Sequence, residues 1–397
     1  MRILVVTPSV TRTGGGVSEV ARLASLGLSE REHHVQVATL ADDFFEQDVW
    51  RWKQLPVRAH QRVGPKNFGF SPGLLLGLFN SRADLVHVHG VWMFHCAAVL
   101  AWSLITGGRY VVTPHGMLEK WIRRRSPLLK WIVSLLFHDC FLRRASCFQV
   151  LTEKEIEDVR EVVESAPVRL IPNYVEVELT SSAPTRPAWW RPEFDQRDVY
   201  LYFGRIHEKK GCLELCHAWH QACAKSTEFR QRSVLVFCGW VDHLPSFEPL
   251  VAELQMELGN IHFAGPQYGS AKASTLSAAT FFILPSKSEG LPMAILEAWA
   301  HAKPVLMTKE CNLSAAFADR AAIQIEQDAS SLSESLMSAS LLTVQERVEL
   351  SRNGQNFLRK HYSKASVIDQ LTALYTEVVS APGDARVDAG LDGHEIR

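Results

Sequence analysis

The chain has 397 residues, 47% of them hydrophobic, with 42 Lys and Arg against 43 Asp and Glu. That length suits two or three domains rather than one, the apolar content excludes disorder and fibre, and the neutral balance gives no reason to expect a nucleic-acid partner. The charge is unevenly spread. Residues 1–150 carry 18 basic and 10 acidic side chains, a net +8 that leaves −9 for the remainder, which suggests two domains facing different partners.

The opening Met-Arg-Ile-Leu-Val-Val-Thr-Pro holds only four consecutive aliphatics. That is too few for the apolar core of a signal peptide, so it predicts a buried first strand. The stretch that comes nearest to a membrane span, Pro127 to Phe137, is broken by Lys130, so no spanning helix is expected. The eight cysteines, at 96, 140, 147, 212, 216, 223, 238 and 311, form no C-x-x-C pair. They read as free thiols of a cytoplasmic protein.

Short apolar runs then alternate with helical patterns: Ile3–Thr7, Val35–Leu40, Leu85–His89, Tyr110–Thr113, Cys147–Leu151 and Val168–Ile171. Runs apolar on both faces and separated by helices predict parallel strands covered on both sides. Thr180–Asp198, rich in Pro, Ser and Trp, predicts a linker. The pattern restarts with Val199–Phe203, Val234–Cys238, Ile261–Phe263, Phe281–Leu284 and Pro304–Met307. The expectation is an α/β chain of two doubly wound, Rossmann-like domains, 1–180 and 199–365, with 181–198 between them. Helices are expected over Val344–Tyr362 and Ser366–Val379, and a disordered tail over 381–397.

Four stretches carry residues suited to chemistry. In Pro285-Ser-Lys-Ser-Glu289-Gly-Leu-Pro292, the strand Phe281–Leu284 runs into a loop and then a helix expected to start at Pro292. The backbone amides of Gly290 and Leu291 would point above the strand end, where a helix N-terminus favours phosphate. Glu297, inside the helix, could accept from a ribose diol, and Glu289 from a sugar hydroxyl. Taken singly, both also fit ordinary capping or solvated glutamates. In Gly204-Arg205-Ile-His-Glu-Lys209-Lys210-Gly211, Arg205 and Lys210 are the cations that could stabilise a departing diphosphate. Alone, that stretch would read as a solvated basic loop. The turn Thr13-Gly14-Gly15-Gly16-Val17 allows close backbone approach, but Glu19 stands where G-x-G-x-x-G needs its last glycine, which disfavours a nicotinamide dehydrogenase. His115, in Thr113-Pro114-His115-Gly116, lies just past a strand end and could position a sugar. His87 and His89 alternate along a strand without an acidic or cysteine partner nearby, so they are not read as metal ligands.

Glu289 and Glu297 eight positions apart, the Gly-Arg and Lys-Gly pairing at 204–211, the glycine turn and Ile171-Pro172-Asn173 together resemble the retaining glycosyltransferases of family 4 over roughly residues 1–375. The resemblance implies the GT-B architecture: two Rossmann-like domains facing across a cleft, with a last helix (366–380) returning to the first. It implies a metal-independent reaction without cofactor, in which Arg205 and Lys210 clamp the diphosphate, Glu297 holds the ribose and Glu289 the donor sugar. Gly15, Gly16 and His115 would complete the cleft from the acceptor side. The anomeric configuration would be retained, with the leaving phosphate assisting acceptor deprotonation and no protein nucleophile assigned. Lys303 and Tyr174 stand where the family usually has glycine, departures expected to reshape the base or sugar pocket.

Lys120–Arg144 sets basic residues and tryptophans around an apolar core. That composition suits an interfacial helix drawn to anionic lipid, and with the +8 half it suggests a polyprenyl-diphosphate-linked or glycan acceptor at the inner face of the plasma membrane. Leu128–Phe137 is equally apolar all round, as a buried helix would be. Besides a hexosyltransferase of bacterial surface-polysaccharide or lipopolysaccharide synthesis, a sugar-nucleotide epimerase of the same architecture and a non-catalytic nucleotide-sugar sensor remain open.

Overall fold

The computed structural model describes residues 1–65, 68–124, 126–176 and 186–381. Two all-parallel sheets dominate it. The first contains β1 (Arg2–Thr7), β2 (His34–Leu40), β3 (Val57–His60), β4 (Leu85–His89), β5 (Arg109–Thr113), β6 (Cys147–Val150) and β7 (Val168–Leu170), in the order β3-β2-β1-β4-β5-β6-β7. The second contains β8 (Asp198–Phe203), β9 (Ser233–Cys238), β10 (Ile261–Gly265), β11 (Phe281–Leu284), β12 (Val305–Met307) and β13 (Ile323–Gln324), in the order β10-β9-β8-β11-β12-β13. Each order reverses once, between β1 and β4 and between β8 and β11. Ligands of open α/β sheets bind at such reversals, outside the carboxyl ends of the strands. The loops there are the ones that carry the glycine turn and the Arg205, Lys210 and Glu289 stretches.

Side-chain alternation divides the first core into two layers. Ile3 and Val5 of β1 face one side with Leu23 and Leu28 of the helix Gly15–Glu30, while Leu4 and Val6 face the other with Val99 and Trp102 of the helix Phe94–Thr106. The terminal helix Lys364–Ser380 crosses back to the first sheet and lays Val367, Ile368, Leu371, Leu374, Tyr375 and Val378 on its first layer. The guanidinium of Arg109 donates to the carbonyls of Val378 and Ala381 at that helix's C-terminus, where a cation is favoured. The helix Val344–His361 stays with the second core through Phe357 and Leu358 and is opened by a full capping box, Thr343 with Glu346.

The structure departs from the sequence expectations at several points. β3 and β13 are edge strands whose half-exposed Val-Arg-Ala-His and two-residue Ile-Gln carry no apolar run to announce them. Pro292 is the N-cap residue, not the first helical one: it sits at φ −74°, ψ 98°, and the helix runs Met293–Ala300. Within the expected linker, Trp189 and Phe194 are buried in the second core, and the Trp189 indole donates to Thr275 Oγ1 at 3.0 Å, so these residues are tethered. Residues 181–185 of that linker and 382–397 of the expected tail lie outside the described residues.

Lys303 precedes β12, at the end of the sheet opposite the candidate site, and donates to Ser277 O at 2.6 Å. Tyr174 is buried against the helix Gly15–Glu30, donating to Leu23 O at 2.6 Å. Both departures from the family pattern are thus held by packing and by hydrogen bonds to backbone carbonyls.

Close packing of Val344–His361 on the helix Met293–Ala300 depends on Gly354, where a Cβ would lie 2.3 Å from Cδ1 of the fully buried Trp299. Gly354→Ala is expected to lower stability by about 1–3 kcal/mol despite the better helix propensity of alanine, because the indole has no room to yield. Urea unfolding of the two proteins checks this, and an unchanged midpoint would contradict the packing described.

Candidate functional site

The loops after β8 and β11 are stitched together by backbone. Gly211, at φ +68°, ends the turn after β8, and a Cβ there would lie 2.2 Å from the carbonyl oxygen of Pro285. Only glycine permits both the conformation and the contact. The amide of Lys287 donates to Lys209 O at 2.7 Å, and the amide of Glu289 to Glu310 O at 3.1 Å. This brings Lys210 Nζ to 2.5 Å from Glu289 Oε1, which also accepts from Ser286 Oγ at 2.5 Å. Both side chains are largely shielded, and the carboxylate is the more buried of the two.

The other expected residues take separate partners. Arg205, nearly half exposed, reaches Asp242 Oδ2 at 3.1 Å, on the loop after β9. Glu297 is held by Lys272 of the helix Gly269–Ala278. Leu291 packs its side chain into the second core, which leaves only its backbone to meet a ligand. Gly15, at φ +54°, begins the helix after β1, and a Cβ there would lie 3.6 Å from the indole of Trp240 on the opposite unit. Gly16 has open space around its Cα. His115, at φ +54°, keeps its Nε2 2.9 Å from His89 Nδ1. Burial pushes His115 down to about 3, so the ring is neutral at physiological pH.

Residues that the sequence reading missed close the cleft from the first unit. Glu119, four positions after His115, accepts from Lys209 Nζ at 2.8 Å and from Ser288 Oγ at 2.6 Å. Trp121 lies under the same ammonium, 4.3 Å from ring centroid to Nζ. Arg12, paired with Asp48 at 2.5 Å, stacks over Tyr268 of the second unit.

Glu155, on the helix Glu153–Arg160, accepts from the Leu151 amide at 2.7 Å through Oε2, while Oε1 has no partner among the described residues. That oxygen faces the seam where Gly116 of one unit meets Gly290 of the other: a Cβ on Gly290 would lie 3.5 Å from it. Burial pushes the Glu155 carboxyl up to about 7. Spacing gave no sign of the contacts that Glu119, Trp121, Arg12 and Glu155 make across the cleft, because Lys209, Ser288, Tyr268 and Gly290 come from the other half of the chain. Among the described residues no group of His, Cys, Asp and Glu side chains is arranged to hold a metal ion.

Two Rossmann-like units with their strand ends turned on one another, and a Lys–Glu pair at the second reversal point, define the GT-B class of nucleotide-sugar enzymes. Residues 14–179 match the model for Glycosyltransferase Family 4, and residues 197–340 that for Glycosyl transferases group 1, together spanning 166 and 144 of the 397 positions. The chain belongs to the family-4 glycosyltransferases.

Among curated proteins it is similar to the D-inositol 3-phosphate glycosyltransferase of Corynebacterium efficiens, 24% identical over 199 residues, a stretch spanning 49% of this chain and 46% of that relative. Among solved structures, Anabaena HepE in complex with UDP-glucose superposes with TM-score 0.73 at 15% identity, covering 94% of this chain and 99% of HepE. Sucrose-phosphate synthase of Thermosynechococcus elongatus gives 0.71 at 18%, covering 96% and 100%. The α,α-trehalose-phosphate synthase of Burkholderia xenovorans gives 0.74 at 12%, covering 94% and 100%.

Glu155 makes stability depend on pH. Its folded value of about 7 lies above the ordinary 4.5, so the native state binds the proton more tightly than the unfolded chain. The stabilisation is complete below about pH 4.5 and is lost as pH rises through 7, by roughly 3 kcal/mol. Glu155→Gln, neutral throughout, is expected to flatten this dependence and to gain on the parent from pH 5 to pH 8. Urea midpoints at the two pH values check it; parallel shifts in both proteins would rule it out.

Proposed function

We propose that the chain is a retaining hexosyltransferase that takes its sugar from a nucleotide diphosphate donor and passes it to a glycan or polyprenyl-diphosphate-linked acceptor. The observation that carries the reading is the meeting of Lys210 with Glu289 at the carboxyl end of β8 and β11, opposite Gly15 and His115. Without ligand the two charges satisfy one another, as buried ions must. With donor bound, Lys210 and Arg205 turn to the diphosphate and stabilise the charge that develops as it leaves, while Glu289 accepts from a sugar hydroxyl. Glu297, released from Lys272, accepts from the ribose. His115 meets the sugar or acceptor from the first unit. No protein nucleophile is assigned; the departing phosphate takes the acceptor proton, and neither metal nor cofactor takes part. The capture of HepE with UDP-glucose supports a nucleotide-sugar donor for this chain as well.

The acceptor side points towards a membrane. The segment expected as one interfacial helix is broken by Ser126, at φ +52°, and Pro127 into Lys120–Arg124, Pro127–Val133, a π-turn over Ser134–His138 and Asp139–Arg144. Val133, His138, Phe141 and Leu142 face inward, but Leu128 is 70% exposed and Leu135 and Leu136 are each 72% exposed, with Leu129 and Trp131 beside them. Lys120, Arg124 and Arg143 are also exposed. Exposed apolar side chains close together in the chain and flanked by exposed cations suit the headgroup boundary of an anionic bilayer, each cation adding about 1 kcal/mol. Trp121 joins the patch to the cleft mouth through Lys209. No helix among the described residues is long and apolar enough to cross a membrane. The reading is peripheral attachment at the cytoplasmic face, serving surface-polysaccharide or lipopolysaccharide assembly.

Purified protein incubated with UDP-, GDP- and ADP-sugars, with and without EDTA, is expected to release one nucleoside diphosphate regardless of chelator. Binding to none of them would end this reading, and conversion of the sugar without an acceptor would favour an epimerase. Lys210→Ala is expected to lower kcat by about 10²–10³-fold. In flotation assays, protein is expected to follow vesicles containing phosphatidylglycerol, and a Leu135→Glu/Leu136→Glu variant to stay behind. Equal flotation of parent and variant would remove the patch from membrane contact.

A further inference from the structure

A chain of hydrogen bonds with a fixed direction runs beneath the candidate site. It starts at the carbonyl of Ile171, which can only accept, so the group 3.0 Å away is the amide nitrogen of Gln149 and the Gln149 oxygen points elsewhere. That oxygen takes the hydroxyl proton of Thr113 at 2.9 Å. With its proton committed, Thr113 Oγ1 accepts from His87 Nε2 at 2.7 Å. His87 therefore carries its proton on Nε2, and its Nδ1 accepts from the hydroxyl of Tyr375 at 2.6 Å, on the terminal helix. Burial holds His87 down to about 3 and His89 far below its ordinary value, so both rings are neutral and each has one proton to place.

His89 lies one strand step beyond His87, with ring centroids 4.3 Å apart and 1% of its surface exposed. Its Nδ1 meets His115 Nε2, and its Nε2 has no partner among the described residues. His89 lines a small cavity together with Gln149, Asn173, Tyr174 and apolar groups of the first and last helices, with room for about one water. His89 Nε2 is buried without a partner among the described residues, and an N–H buried without an acceptor is rarer than an acceptor left without a donor, so the lone pair and not the proton is assigned to Nε2.

We propose that His89 is a positioning residue for His115: its Nδ1–H donates to His115 Nε2, which leaves the His115 proton on Nδ1 as a hydrogen-bond donor for the ligand. His89 Nε2 then accepts from a water in the cavity beside Gln149. The role of His115 in the cleft rests on the function proposed above; the protonation pattern does not. His115 is thereby a donor to a sugar hydroxyl or phosphate oxygen and not an acceptor, and what decides this lies behind it in the first sheet.

The test uses the full chain with 15N-histidine and long-range 1H–15N correlation of the imidazoles, alongside kinetics with the donor found above. The parent is expected to show His115 protonated on Nδ1. His89→Phe is expected to abolish that single tautomer and to lower kcat about tenfold or more, with donor KM within twofold. His89→Asn, whose amide nitrogen occupies the place of Nδ1, is expected to restore both. A parent with His115 protonated on Nε2 would overturn the proposal, as would a His89→Phe variant with unchanged kcat. If no donor turns over, the proposed function fails while the tautomer spectrum still decides the protonation pattern. If His89→Phe does not fold, the parent spectrum and His89→Asn carry the test.

Discussion

The contact between Gly211 and the carbonyl of Pro285 fixes the loop after β8 against the loop after β11, and the second unit's side of the cleft depends on it. These loops follow strands adjacent in the sheet but about eighty residues apart in the chain. Held in this way, and pinned again by the Lys287 and Glu289 amides, they present Lys210 and Glu289 to one another at hydrogen-bonding distance. A side chain at 211 would push the loops apart and leave a shielded carboxylate without its cation, a far costlier state than the pair itself.

The cleft is lined by charges that compensate each other. Lys210 with Glu289, Lys272 with Glu297, Arg205 with Asp242 and Lys209 with Glu119 each pair an ammonium or guanidinium with a carboxylate. The first three lie within the second unit, whereas the fourth spans the two. Under the proposed function a donor enters by exchanging partners within these pairs, so its phosphates and hydroxyls replace interactions already present and no charge is left bare. The Lys209–Glu119 pair and the Gly116–Gly290 approach bring the two units together beside the same loops.

The first unit works by a different chemistry. Besides the charged Glu119 and Arg12, it brings buried neutral histidines, a glutamate whose carboxyl is pushed up to about 7 and hydroxyls whose protons have defined destinations. The terminal helix supplies Tyr375 at the end of that chain, so its return to the first sheet does more than cover apolar surface. It closes a network in which each link of the Tyr375–Ile171 path joins one donor to one acceptor, and such networks rigidify a core.

By itself the sequence determined the parallel α/β architecture, because strands buried on both faces must be apolar along their whole length and the intervening helices must be amphipathic. It also placed Arg205, Lys210, Gly211, Glu289 and Glu297 next to strand and helix ends, which can be read locally. It did not reveal β3 or β13, whose edge positions demand no apolar run. Nor did it reveal that Lys303 and Tyr174 are packing residues, or whether Leu128–Phe137 faces inward or outward, because an all-apolar segment fits either. Tertiary structure alone decided the partners: Glu119 for Lys209, Asp242 for Arg205, Lys272 for Glu297, His89 for His115. Each pair joins residues 25 to 90 positions apart, and proximity of that kind is set by strand order and by the closure of one unit on the other, which no local pattern encodes.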